Sequence, residues 1–190
     1  MLIASPLAIA NPEVIVEKNG NHTNYIAKKD PVRFAKGVAN LPDSEKEKLW
    51  AYVQENHDKV PAVIYMALAD YIYKKNKDDA LFWYMVGRIR TTQDIMMCND
   101  ESNQQQMSYY PFMAQDTMQY FAKKGKRAKS IIKRAVEWDK NHPDRINPEW
   151  ACYHGMEIFM HGVVSTKPME EYEKVKEDYR QYVLKSLNRQ

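Results

Sequence analysis

Glycine is scarce in this sequence, six residues in 190, and that scarcity argues against the many tight turns of a β-sandwich or barrel. No run of 18 apolar residues occurs, so no segment reads as a membrane-spanning helix. An excess of one charge is lacking too. The 28 Lys and Arg against 25 Asp and Glu leave a formal +3, too weak a bias to imply a nucleic-acid partner unless the charges are segregated. There is no glycine-rich phosphate loop, no zinc-ligand spacing and no local signature of a nucleophilic cysteine. The expectation is a protein that is not an enzyme and holds no metal or cofactor. An enzyme stays open as an alternative, because a triad assembled in space leaves no mark in sequence.

What is present points to helices. Hydrophobic residues make up 44% of the chain, with 13 tyrosines, 11 methionines and long stretches free of breakers. A chain of this length buries about 70% of the surface it exposes when unfolded, enough for a core without a staple. The reading is all-α, a single compact domain of about seven helices over residues 31–190, preceded by a polar segment at 11–30 and an apolar start at 1–10. That start, MLIASPLAIA, closes in Ala8-Ile9-Ala10, the small-x-small pattern signal peptidase accepts, but no Lys or Arg stands before it. It reads as a signal-peptide remnant, with chance likeness as the alternative, and sets a periplasmic location as the expectation. The two cysteines, Cys98 and Cys152, fit that compartment, where a spatially matched pair becomes a disulfide. Such a bridge would stabilise the fold by about 4 kcal/mol in the chain-entropy model. Two unrelated buried thiols are the alternative.

Apolar periodicity then places the helices. A short one begins at Pro31. Ser44 and Glu47 read as a capping box opening a helix to about Asn56. Pro61 leads a helix with Val63, Ile64, Ala67, Leu68, Tyr71 and Ile72 on its apolar side. From Ala80 to Met97 the chain is apolar nearly all round, interrupted by Arg88 and Arg90, which predicts a central helix. The segment Asn99–Gln106 has no apolar residue and reads as a loop or an exposed helix start. Helical pattern resumes over 107–124, and Ala128, Ile131, Ile132, Ala135 and Val136 form the next stripe. Pro148 opens a helix carrying Trp150, Cys152, Met156 and Phe159. The last helix begins near Pro168 and buries Tyr172, Val175, Tyr179, Tyr182 and Val183.

Two constellations invite a functional reading. His154, Glu157 and His161 at i, i+3 and i+7 would share one helix face, yet one face rarely completes a coordination sphere, so ordinary packed histidines are preferred. Lys123–Arg134 carries seven basic residues and no acidic one. Its interleaved Ala128, Ile131 and Ile132 favour the solvated back of an amphipathic helix over a nucleic-acid footprint, and aromatics for base stacking are absent.

Residues 61–75, the Lys75-Asn76-Lys77-Asp78-Asp79 turn and residues 79–97 resemble a helical hairpin of the tetratricopeptide or Sel1 kind, through Ala67-Leu68-Ala69, Tyr71 and Asp79-Ala80-Leu81 with Trp83-Tyr84. A wider likeness rests on Asp79-Ala80-Leu81-Phe82-Trp83 with Gly87 and Arg90, Cys98, Val136-Glu137-Trp138-Asp139, Asn147-Pro148-Glu149-Trp150 and His154-Gly155-Met156. Through these the chain resembles small exported bacterial helical proteins that look like periplasmic immunity proteins against type VI secretion effectors. The resemblance implies a protein-binding inhibitor that occludes the active site of a cognate toxin, its partner, with no nucleic acid or membrane involved. A helical-repeat adaptor of the cell envelope is the other non-enzymatic reading. Trp83, Trp138 and Trp150 are expected in the core, with Asp139 and His154 as candidate hydrogen-bond partners. With the tryptophans so placed, a partner surface is sought among polar residues the fold does not require: Asp94, Asn99, Asp100, Glu101 and Gln104, held still by the bridge. The sequence leaves the oligomeric state and the toxin open.

Overall fold

The structure is a computed structural model and describes residues 14–19, 22–27 and 31–188. The apolar start 1–10, with Ala8-Ile9-Ala10, lies outside the described residues. Two antiparallel strands, β1 (Val14–Asn19) and β2 (His22–Ala27), pair Val14 with Ala27 and Asn19 with His22. The sequence reading placed only a polar segment here. The signals it passed over are the β-branched run Val14-Ile15-Val16 and the dipeptide Asn19-Gly20.

From Pro31 onward the described chain is all-α. Eight α-helices are described, one more than the seven expected: α1 (Pro31–Ala39), α2 (Asp43–Glu55), α3 (Val63–Tyr73), α4 (Lys77–Ile95), α5 (Gln115–Lys123), α6 (Gly125–Asn141), α7 (Met156–His161) and α8 (Tyr172–Asn188). Short 3-10 helices at Glu101–Ser108, Tyr110–Met113, Pro148–Cys152 and Met169–Glu171 join them.

The centre is the antiparallel pair α3 and α4. Every residue from Val63 to Ala69 is buried, and α4 is covered on several sides by α3, α5, α6 and α8, as its all-round apolar character requires. Asn76 starts α4 by accepting from the N–H groups of Asp78 and Asp79. Gly87 sets how closely the pair packs. A Cβ there would stand 2.9 Å from Met66 Cγ and 3.0 Å from the Ala62 carbonyl oxygen, distances that only a bare backbone avoids.

Ala128, Ile131, Ile132, Ala135 and Val136 of α6 are buried, so the amphipathic reading of the basic segment holds. Trp83 lies edge-on to Trp138 and stacks on Tyr65, at ring-centroid distances of 5.1 and 5.3 Å. Trp150 is buried, whereas Trp83 and Trp138 are half-buried.

A buried ionic cluster ties α4, α6 and α8 together. Asp139, wholly buried on α6, accepts from Arg90 Nε at 3.0 Å, Arg145 Nη2 at 2.7 Å, Arg180 Nε at 2.8 Å and Gln93 Nε2 at 3.0 Å. Burial would raise its carboxyl, but the three guanidinium groups overcome that and hold it below the usual carboxylate range. Arg90 also donates to the His142 carbonyl oxygen and lies over the Trp138 ring.

Several sequence expectations give way here. Ser44 forms no capping box, because α2 already begins at Asp43, after Pro42, without a side-chain cap. The buried face of α8 is Tyr172, Lys176, Arg180, Val183 and Leu187, while Tyr182 is exposed. Hydrophobic pattern found Tyr172 and Val183 of that face but not its charged members, because Asp139 draws Arg180 inward and Lys176 lies over the Tyr172 ring. In the Asn99–Gln106 segment, read as a loop or an exposed helix start, a 3-10 helix begins at Glu101 and buries Asn103 and Gln106. Gln106 donates to the Ala151 carbonyl oxygen and accepts from the Tyr110 hydroxyl. The helix expected from Pro148 through Phe159 is broken into a 3-10 turn and α7.

Candidate functional site

The cysteines lie together at a Cα–Cα distance of 5.4 Å and are joined, Cys98 just after α4 and Cys152 at the end of a 3-10 turn. Around them the chain is tied at several points. Cys98 pairs with Thr166 in an isolated antiparallel bridge, and Lys167 N–H donates to the Met97 carbonyl oxygen at 2.7 Å. Asn99 donates through its side chain to Ser165 Oγ at 2.6 Å and to the Thr166 carbonyl oxygen at 3.2 Å.

Asp100 organises the next layer. Its Oδ1 accepts from Ser102 N–H at 2.9 Å, and its Oδ2 accepts from Glu157 N–H at 2.8 Å, in the first turn of α7. Burial opposes the charge, but bonds from the Ser102 hydroxyl and from the Glu157, Ser102 and Met156 amides hold the carboxyl below its ordinary range. Ser102 Oγ accepts from Met156 N–H at 2.7 Å, and Asn103 Oδ1 from His154 N–H at 3.3 Å. Gly155 is needed at this point. A Cβ would collide with the Asp100 carboxylate and the Asn103 amide, both held by these bonds.

The expected partner residues divide accordingly. Asn99 and Glu101 are exposed, Asp100 is half-buried, and all three line a depression of about 420 Å³ shared with Glu157, Val163 and Ser165. Gln104 is exposed on the neighbouring 3-10 helix outside it. Asp94 does not belong to this surface. It is only 2% exposed, accepting from Trp150 Nε1 at 2.9 Å and from the Tyr172 hydroxyl. Burial pushes its carboxyl up to about 6, against the pull of Arg145, Tyr172 and Trp150. Trp150 thus finds its acceptor in Asp94, not in Asp139 or His154.

Sequence reasoning missed the most exposed apolar feature. Val163, just past the end of the helix, is 51% exposed; within α7 no residue is buried, and Met156, Phe159 and Met160 stand 52, 85 and 63% exposed at i, i+3 and i+4. That is one helical stripe facing outward. The sequence places Met156 and Phe159 on a helix opened by Pro148, and periodicity alone cannot tell an inward stripe from an outward one. Gly162, at φ 68°, ends α7 in the left-handed conformation that favours glycine. Val163, after this turn, lines the depression, and the carboxylates of Asp100, Glu101 and Glu157 line the same hollow without a Lys or Arg among them.

The remaining constellations are placed as follows. His154 precedes α7 in a turn, so it does not share a helix face with Glu157 and His161. Among the described residues no group of three His, Cys, Asp or Glu is arranged to hold a metal. In the basic segment Arg127 pairs with Asp78, Lys124 lies over Tyr120 and Arg134 over Phe82. A second hollow of about 480 Å³ opens beside α6, lined by Phe121, Ile132, Val183 and Leu187 with Arg88 and Lys129. No described helix is long and apolar enough to cross a membrane.

Comparison with family models, with curated proteins and with solved structures finds no significant match to this chain. The quoted motifs do have a physical account within the molecule. Ala80, Gly87 and Arg90 pack or pair inside the helical core. Trp138-Asp139 receives Arg90, Asn147 accepts from Glu149 N–H at 2.9 Å, Trp150 reaches Asp94, and Gly155 admits Asp100. These residues build the scaffold; of the quoted motifs only Met156 belongs to the exposed apolar side chains of α7.

Proposed function

We propose that this is a non-enzymatic protein-binding protein, an immunity protein of the periplasm that neutralises a cognate secreted toxin by covering its active site. One observation carries the reading. A short helix is tethered by a bridge and by Asp100, yet of its apolar side chains only Ile158 is half-buried, while Met156, Phe159 and Met160 stand outside, an arrangement folding does not need and an interface does. A tethered helix loses little entropy on docking, so contact area converts efficiently into affinity. The motif likeness to exported helical proteins supports the compartment and the kind of partner, and the sequence resemblance of residues 61–97 to a tetratricopeptide or Sel1 hairpin supports a scaffold role.

The test is co-expression. The toxin encoded beside this gene, directed to the periplasm, should kill cells that lack the chain and spare cells that export it. Killing that is unchanged by the exported, folded chain would overturn the immunity assignment.

A further inference from the structure

We propose that α7 is the docking element, and that its partner is a protein presenting an apolar pocket with a basic rim, entered by Phe159 and Met160. This rests on the protein-binding reading above only in taking the partner to be a protein. The immunity assignment is not required.

The shape of the surface sets the first half of the argument. Phe159 and Met160, 85 and 63% exposed, stand furthest out, with Met156 before them on the helix and Val163 just past its end. A projecting aromatic ring beside a flexible thioether is a knob, and burying it requires a concavity on the other side. Gly155 before the helix and Gly162 after it confine the knob to about one and a half turns.

Charge sets the second half. Just past the helix, Val163 lines a hollow together with the carboxylates of Asp100, Glu101 and Glu157, with no cation among its lining residues. Asp100 stays ionised because the amides it caps favour the charged form. An anionic bilayer surface would repel that rim, which argues against α7 as a lipid anchor. A second copy packed two-fold on the same face would set carboxylates against carboxylates, which argues against self-pairing. Lysines and arginines around an apolar pocket satisfy both halves at once and would steer encounter.

Two pairs of exposed positions test this. Phe159→Ser with Met160→Ser removes the knob, and Glu101→Lys with Glu157→Lys inverts the rim while leaving the Asp100 cap in place. Phe112→Ser is the control, a 72% exposed ring on the 3-10 turn that packs beside α1 and α3. All three variants should keep the wild-type thermal midpoint. In calorimetric titration with the purified product of the adjacent toxin gene, the knob variant should bind at least 30-fold more weakly. The rim variant should bind about tenfold more weakly and lose most of its dependence on salt. The control should match wild type. Equal affinity of the knob variant and wild type would overturn the proposal while leaving the immunity assignment standing.

If that product binds neither wild type nor variants, the immunity assignment fails. A photo-crosslinking residue at position 159 of the full chain, in the source cells, then decides the docking proposal. Adducts with a protein whose contact site is an apolar pocket edged by Lys and Arg support it. Adducts only with lipid, adducts only with a second copy of the chain, or no adduct all overturn it.

Discussion

Two buried aspartates, Asp94 and Asp139, are pushed in opposite directions by their surroundings. Asp139 meets three guanidinium groups and is held charged, whereas Asp94 meets a phenol, an indole and a more distant Arg145 at 3.9 Å, so burial dominates. The stability consequence of Asp94 follows from its direction. Between the ordinary value of 3.8 and about 6 the folded protein holds a proton that the unfolded chain has released. Stability from this group is therefore present at low pH and is lost as pH rises through that window. Asp94→Asn cannot titrate. The difference in unfolding free energy between wild type and Asp94→Asn, measured by urea at several pH values, should turn against wild type from about pH 4 to pH 6 and level off above. A difference that is flat with pH, or of the opposite slope, would refute the assignment.

At the scale of elements, α7 has no buried side chain to hold it and depends on its attachments. Asp100 supplies one, through the Glu157 amide, and the Cys98–Cys152 bridge immobilises the segment from which Asp100 and Asn103 reach it. Unreduced, denatured protein exported to the periplasm should show no free thiol. Replacing both cysteines with serine should lower stability by about 2–4 kcal/mol. The same variant should accelerate hydrogen exchange at residues 156–161 more than in α3 or α4, whose amides lie in the core. Exchange raised equally in α4 and in α7 would mean that the bridge supports the whole domain and not this element in particular.

At the scale of the molecule, one carboxylate holds three helices and a loop. Asp139 on α6 receives Arg90 from α4, Arg180 from α8 and Arg145 from the segment after α6, so its charge neutralises cations that would otherwise be buried unpaired. Asp139→Asn keeps the shape and removes the charge. It should lower the free energy of unfolding by about 3–5 kcal/mol, read from the urea midpoint with the slope unchanged. A loss under 1 kcal/mol would show that the guanidinium groups find other partners or water.

Local pattern carried much of the fold. The scarcity of glycine and the apolar repeats of Val63–Ile72, Leu81–Ile89 and Ala128–Val136 fix helices there, because each repeat depends only on residues three and four apart. The starts of α1, α3, α4 and α6 were legible to within a few residues for the same reason. The candidate site was legible only in part. Asn99, Asp100 and Glu101 do gather beside the bridged cysteines, but Asp94, one turn earlier on α4, faces inward, and Phe159 and Met160 face outward. Whether an acidic side chain points to water or to Trp150, and whether an apolar stripe has a partner helix, depends on elements more than 50 residues away in the chain. Sequence spacing gives the period of a helix and which residues share a face. Only the packing of α4, α6 and α8 around Asp139, and the lack of any described element over α7, decided which face is core and which is left exposed.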